Sequence, residues 1–191
     1  MTFETIISIC LGIGLSASVG FRVFLPLFAL SVASYFDVWQ LNESWEWIGS
    51  KAALITLSAA TIVEIVAYFI PYIDNVLDSV TVPLAALAGT AIMLSTVADL
   101  SPVITWSLAI IAGGGTAAVV AGTFSTTRLT SALTTGGIAN PLVSTIETGT
   151  SVVMSIISIF LPIVAAVLVI LILFIIFELY KKFKTPKKNS S

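Results

Sequence analysis

Seven charged side chains lie inside long apolar stretches of this chain, where any chemistry would depend on guanidinium and carboxylate groups. They are Arg22, Glu64, Asp74, Asp78, Asp99, Arg128 and Glu147. A charge at the centre of a bilayer costs about 2.5 to 3.5 kcal/mol on insertion scales, so such groups are retained where they face a partner or water. These side chains are therefore the first candidates for a binding site or a solute pathway.

The composition places these charges in a membrane protein. Of 191 residues, 58% are apolar and 9% are charged, whereas about a quarter of the residues in a soluble domain are charged. A water-soluble enzyme is thereby excluded. The chain has no histidine and one cysteine, which argues against disulfide frameworks, zinc sites and iron–sulfur clusters. We expect no metal and no cofactor.

The spacing of the charges divides the chain into helical spans, because about 20 apolar residues cross a bilayer as a helix. Residues 5–36 form an apolar stretch that only Arg22 interrupts. This stretch is too long for one span and too short for two spans with a turn. Since glycines and Pro26 also lie along it, we predict two helical pieces that meet near residues 18–26.

A second unusual segment covers residues 125–142. It is rich in hydroxyl groups, and Arg128 is its one charge. A solvent loop would carry more charges, so we predict a broken or re-entrant segment that lines a wet cavity at membrane depth. Asn140 followed by Pro141 predicts an N-cap with proline at the first helical position. The positive end of that helix dipole would point into the cavity.

The predicted fold is an all-α integral membrane protein with about five to seven transmembrane or half-membrane helices. Residues 1–180 form one membrane domain, and residues 181–191 form a basic tail, which the positive-inside rule places in the cytoplasm. The acidic segment of residues 37–50 carries three tryptophans and suits the outer interface. Pairing Arg22 with Arg128 aligns the two breaks, so a weak internal repeat is a further hypothesis.

The buried charges have two competing interpretations. Arg22 with Glu64, and Arg128 with Glu147, could be structural ion pairs that fix helix register without any ligand. Alternatively, they line a polar pathway together with neighbouring hydroxyl and glycine residues. The candidate ligand-binding or pore-lining residues are Arg22, Glu64, Thr127, Arg128, Ser131, Gly136, Gly137, Asn140, Ser144 and Glu147.

Asp74 and Asp78 are secondary candidates. They are four residues apart, so a helical turn would place both carboxylates on one face. Two carboxylates without further ligands are a weak signal for a metal. A solvated helix end is the simpler interpretation of this pair.

Several of these motifs together resemble a family of small bacterial inner-membrane proteins that is catalogued only as a domain of unknown function. The resemblance rests on residues 20–26, on Glu64 with Pro71 and Asp74, on residues 127–131, on residues 135–144 and on Glu147. It implies a multi-pass helical fold in the bacterial inner membrane, and it implies no activity. The family pattern has an acidic residue after the glutamate, at the position of Thr148 in this chain.

Three classes of function remain open. The first is a channel or carrier for an ion or small polar solute, in which Arg22 and Arg128 form electropositive constrictions. The second is a lipid-handling or scaffold protein. The third is an enzyme that works through Glu64, Glu147 and hydroxyl groups, which is uncommon, so we expect no enzyme.

The expected partners follow from the same composition. They are the lipid bilayer, a small solute or ion, and a sister subunit in a homo-oligomer, because the apolar last span must face lipid or another copy. The net charge of −2 provides no field that would attract nucleic acid.

Overall fold

The part of the chain that the structure describes contains helices and turns, with no strand. The structure is a computed structural model, and it describes residues 2–97 and 100–184. The α-helices are α1 (Phe3–Val19), α2 (Phe24–Tyr35), α3 (Lys51–Ala67), α4 (Pro71–Thr96), α5 (Pro102–Leu108), α6 (Gly115–Thr135), α7 (Asn140–Phe160) and α8 (Pro162–Lys184). A 3₁₀ helix over Glu43–Gly49 precedes α3, and a π-helical segment over Ala109–Gly114 joins α5 to α6.

Among the described residues, four helical segments are long and apolar enough to cross a membrane. They are Val76–Thr96, Pro102–Thr135, Asn140–Phe160 and Pro162–Lys182. The 3₁₀ helix and α3 form a pair bent by 63°, which counts as a fifth candidate span if the two are taken together, while α1 and α2 are shorter apolar helices. The prediction of an all-α, multi-pass membrane protein is confirmed. Most of the predicted basic tail, residues 185–191, lies outside the described residues.

Both predicted breaks exist, but the second is much shorter than expected. The first lies between α1 and α2 at residues 20–23, and the second is confined to residues 136–139. Five threonine hydroxyls of α6 each donate to the backbone carbonyl four residues earlier. The donors are Thr123, Thr126, Thr127, Thr130 and Thr134. These threonine hydroxyls are satisfied within their own helix. The expectation that the chain is non-helical over residues 125–135 is wrong, because α6 continues to Thr135.

The internal-repeat hypothesis gains no support from local structure. Arg22 lies in the non-helical break after α1, whereas Arg128 lies inside α6, seven residues before its end. The two arginines therefore do not occupy equivalent positions.

Successive helices reverse direction, so alternate connections lie at the same end of the bundle. At the opposite end, the Trp39 Nε1 donates to the Ile159 carbonyl oxygen at 2.9 Å. The Asn42 backbone N–H donates to the Ser95 carbonyl oxygen there, also at 2.9 Å. The break after α1, the α3–α4 turn, the α6–α7 turn and the end of α8 lie at the other end, which we call the charged end.

Small and hydroxyl-bearing residues hold α1 in the centre of the bundle. The helix packs against α4, α7 and α8, and its Ser18 hydroxyl lies 3.0 Å from the Ser151 hydroxyl and 2.8 Å from that of Ser155. Lipid tails are as apolar as leucine, so close packing and hydrogen bonds replace the hydrophobic effect between such helices. The buried polar face of α7 consists of Asn140, Ser144, Glu147, Ser151, Ser155 and Ser158.

Gly113 and Gly114 end the π-helical segment at the place where it touches α4. A Cβ atom at Gly113 would lie 2.5 Å from the Gly89 carbonyl oxygen and 2.9 Å from the Cβ of Met93. The two backbones are therefore in direct contact, which is the use that small residues have between membrane helices.

We predict that Gly113→Ala lowers the melting temperature of the purified protein, because the added carbon must displace backbone. Overpacking of this kind costs about 1 to 3 kcal/mol. Gly149→Ala is the matched control, since a Cβ there would meet nothing within 4 Å. Alanine at Gly149 should be neutral or stabilise the helix by up to about 1 kcal/mol. Thermal unfolding in detergent measures both, and equal melting temperatures would contradict the packing assignment.

Candidate functional site

The buried charges converge at the charged end of the bundle in a single group. It consists of Arg22, Glu64, Tyr68, Asp74, Asp78, Arg128, Asn140, Ser144 and Glu147. We call this group the charge cluster. All of its members except the half-buried Asp78 are at most 8% exposed. The seventh interior charge, Asp99, lies outside the described residues.

Arg128 is the centre of the ion pairing. Its Nε donates to Glu147 Oε1 at 2.8 Å, and its Nη2 donates to Glu147 Oε2, which is the bidentate arrangement that these two groups favour. Its Nη1 donates to Asp74 Oδ1 at 2.6 Å and lies 3.5 Å from Asp78 Oδ1. The Arg128–Glu147 pair considered from the sequence is present. Asp74 is buried and, like Asp78, faces the Arg128 guanidinium, so the interpretation of these two aspartates as a solvated helix end is wrong.

Arg22 approaches the same glutamate from the break after α1. Its Nη2 lies 3.5 Å from Glu147 Oε2 and donates to the Ser144 carbonyl oxygen at 3.0 Å. Its Nε donates to the Thr148 hydroxyl at 2.9 Å. The Nη1 of this fully buried side chain has no hydrogen-bond partner. Arg22 therefore pairs with Glu147, and the predicted pairing with Glu64 is wrong.

Glu64 instead binds the start of α2. The backbone N–H of Val23 donates to its Oε1 at 2.7 Å, and the backbone N–H of Phe24 donates to its Oε2 at 3.0 Å. The first amides of a helix lack acceptors within the helix, and the positive end of the helix dipole favours a carboxylate. Glu64 thus fixes the position of the break and, with it, the place of Arg22.

Tyr68 contacts both arginines and was not among the predicted site residues. The guanidinium carbons of Arg22 and Arg128 lie 4.0 and 4.1 Å from its ring centroid, within the range of a cation–π interaction. Its hydroxyl lies 2.7 Å from the Thr81 hydroxyl. The spacing of Tyr68 was the available signal in the sequence. It follows Glu64 by four residues, and residues four apart lie on the same face of a helix.

Asn140 contributes to the cluster but does not cap α7. It is the first residue of the helix, and the capping position belongs to Ala139. The Asn140 side chain turns inward, where its Nδ2 donates to Asp74 Oδ2 at 2.9 Å, and its Oδ1 has no partner. Ser144 donates from its hydroxyl to the Tyr68 carbonyl oxygen at 3.4 Å.

Four predicted site residues lie outside the charge cluster. Thr127 is exposed, and its hydroxyl donates to the Thr123 carbonyl oxygen of its own helix. Gly136 and Gly137 have φ angles of 64° and 85°, which glycine adopts readily, and they form the turn that returns α7 to the cluster. The Ser131 hydroxyl oxygen is buried without a hydrogen-bond partner.

A narrow cavity and a wider groove flank Tyr68. The cavity, of about 10 Å³, lies beside Asp78 and Arg128 and has room for about one water molecule. The groove, of about 400 Å³ and mostly apolar, is lined by residues of α3 and α4 and reaches Glu64. Tyr68 and Thr81 border both spaces. This hydrogen-bonded pair therefore lies between the charged cavity and the apolar groove.

Residues 9–182 match the protein family described as "Domain of unknown function (DUF4126)". The chain belongs to the DUF4126 family. The resemblance inferred from the sequence motifs is thereby confirmed, and the matched residues include the whole charge cluster of this DUF4126 protein. No curated protein and no solved structure matches the chain.

The cluster of this DUF4126 protein offers a limited set of chemical operations. Guanidinium groups bind anions and polar acceptors, and carboxylates bind cations and protons. Across residues 2–97 and 100–184, no group of three or more Asp, Glu, His or Cys side chains is placed to hold a metal ion. The arrangement is therefore suited to binding a polar solute or exchanging a proton.

We predict that Tyr68→Leu destabilises the DUF4126 protein more than Tyr68→Phe. Phenylalanine loses only the hydrogen bond to Thr81, worth about 0.5 to 1.5 kcal/mol. Leucine also loses two guanidinium–ring contacts, each worth about 0.5 to 2 kcal/mol. Equilibrium unfolding in detergent should resolve this order. Equal losses for the two variants would show that the ring contacts contribute nothing to stability.

Proposed function

We propose that this protein is a carrier for an ion or a small polar solute in the bacterial inner membrane, with the charge cluster as its binding site. The observation that supports the proposal is the pair of buried polar atoms without partners, Arg22 Nη1 and Asn140 Oδ1. An unsatisfied buried polar atom costs about 1 to 3 kcal/mol, and nearly all such atoms in proteins have partners. A hydrogen-bond donor and an acceptor without partners in one cluster can both bind a polar solute.

The closed geometry favours a carrier over an open channel. The space at the cluster holds about one water molecule, and the Phe21 and Phe124 rings pack beside it with centroids 4.8 Å apart. A channel needs a continuous polar path, whereas a carrier encloses its site between two access states. A broken helix at the site, such as that at residues 20–23, is common in carriers.

The basic residues support an orientation with the charged end of the bundle in the cytoplasm. Lys181 and Lys182 lie near the end of α8, at the charged end of the bundle, and further lysines follow in the sequence. The positive-inside rule assigns this end to the cytoplasm. The charge cluster then lies nearer the cytoplasmic surface, with Arg128 and Glu147 about two helical turns, roughly 10 Å, inside the ends of their helices.

Flux through proteoliposomes tests the proposal. We expect purified protein to accelerate the exchange of at least one solute in a panel of Na⁺, K⁺, Cl⁻ and glycerol. Arg128→Lys keeps the charge but loses the bidentate geometry. Loss of one charged hydrogen bond, about 1.5 to 3 kcal/mol, should lower the flux about tenfold or more.

The matched control for this experiment is Lys51→Arg. Lys51 is exposed at the start of α3, far along the helix from the cluster, so its replacement should leave the flux unchanged. Size-exclusion elution and melting temperature verify that each variant is folded. If wild-type liposomes exchange every solute in the panel no faster than protein-free liposomes, the carrier proposal fails.

Lipid handling is a second candidate, because the apolar groove between α3 and α4 reaches the cluster. Only the Tyr68–Thr81 hydrogen bond and the side chains around it separate the groove from the charged cavity. A lipid with its tail in the groove could place its headgroup at the cluster once that bond opens.

The lipid candidate predicts that Thr81→Val speeds the exchange of labelled lipid between leaflets by about two- to tenfold, since it removes a hydrogen bond of about 0.5 to 1.5 kcal/mol. A dithionite-quenching assay on proteoliposomes measures the rate. Thr123→Val on α6 makes the same chemical change away from the groove and should have no effect. Absence of exchange in both the wild type and Thr81→Val would count against lipid handling.

A further inference from the structure

The charge cluster holds more negative than positive charge. Glu64 is set aside, because the first amides of α2 neutralise part of its charge. The remaining ionisable groups of opposite sign are the guanidiniums of Arg22 and Arg128 and the carboxyls of Asp74, Asp78 and Glu147. Fully ionised, they sum to −1. An uncompensated buried charge is costly, and protonation is the usual way in which proteins remove it.

The hydrogen bonds identify which carboxyl group is least able to remain charged. Glu147 has both oxygens on Arg128 and a second guanidinium, that of Arg22, within 3.5 Å. Asp74 accepts from Arg128 through one oxygen and from Asn140 through the other. Asp78 lies 3.5 Å from Arg128 Nη1, and this nitrogen already donates to Asp74 at the shorter distance of 2.6 Å.

Asp78 is also the most exposed of the three carboxyl groups. Its side chain is 19% exposed, against 1% for Asp74 and 2% for Glu147. It lines the cavity that has room for about one water molecule. Asp78 therefore lies beside a space that can admit one water molecule as its proton donor or acceptor.

We infer that Asp78 is a proton-binding site that holds one exchangeable proton. Its carboxylate takes the proton from water to become a carboxylic acid, no other bond forms or breaks, and the same proton returns to water on release. The groups that face it are Arg128 on α6, Asp74 on its own helix, Tyr68 after α3, Arg22 in the first break and Glu147 on α7. That this proton drives solute movement rests on the proposed carrier function.

A second observation points to an exchangeable hydrogen in the cluster. Asn140 Oδ1 is an acceptor without a partner on a side chain that is 6% exposed, and the same amide donates to Asp74. Ionised carboxylates cannot donate to this oxygen, whereas a water or a protonated acid can. The three carboxyl groups converge on Arg128 and not on a common empty point, so a proton fits the site better than a metal ion does.

Infrared difference spectroscopy of the purified protein in detergent tests the site without any transport assay. In the wild type we expect the carbonyl-stretch band of a protonated carboxylic acid near neutral pH, and we expect this band to disappear as the pH is raised. The Asp78→Asn variant should lose the band. Asp37→Asn, a change at an exposed aspartate at the opposite end of the bundle, should retain it.

Two results would overturn the assignment: a wild type with no pH-dependent carboxylic-acid band, or a band that Asp78→Asn leaves unchanged. If Asp78→Asn does not elute as a single folded species, Asp78→Glu replaces it. That variant must keep the band and shift its pH midpoint, and an unshifted midpoint would equally overturn the site. A confirmed band without solute flux would retain the proton site and refute the carrier, whereas flux without the band would refute the proton site alone.

Discussion

The guanidinium group of Arg128 joins three helices at the charged end of the bundle. It binds Glu147 of α7 through two hydrogen bonds and Asp74 of α4 through its remaining nitrogen. In lipid no hydrophobic force draws helices together, and removal of one partner of a buried ion pair costs about 3 to 5 kcal/mol. The place of Tyr68, and the approach of Arg22 to the same glutamate, depend on this fixed arrangement.

The positions of the charges predicted which residues meet but not how they pair. An ionisable group in an apolar span needs a partner, and this requirement identified Arg22, Glu64, Arg128 and Glu147 as members either of two ion pairs or of one polar pathway. The pairing depends on where each side chain points. For Arg22 that direction is determined by the break at residues 20–23, which Glu64 caps from a position about 40 residues further along the chain. Tyr68 escaped prediction because an uncharged aromatic residue in an apolar span is ordinary.

The hydroxyl-rich part of α6 illustrates a second limit of sequence reasoning. Thr126 and Thr130 donate to carbonyls of their own helix and remain exposed, whereas Ser151 and Ser155 of α7 bond to Ser18 on a facing helix. Both sets recur at helical spacing, so periodicity does not distinguish them. The difference lies in the helix that faces each set, and that information is not local in the sequence.

The energetic cost of the cluster bears on what it is for. A set of ion pairs retained only to hold helices together gains most when every charge is balanced and every polar atom is satisfied. In this cluster Arg22 Nη1 and Asn140 Oδ1 have no hydrogen-bond partner. Without Glu64, which binds the first amides of α2, it contains three carboxyl groups and two guanidinium groups. These departures weaken it as a structural element. They are also the features that allow a proton or a polar solute to bind and leave, while Tyr68 and Thr81 separate the site from lipid.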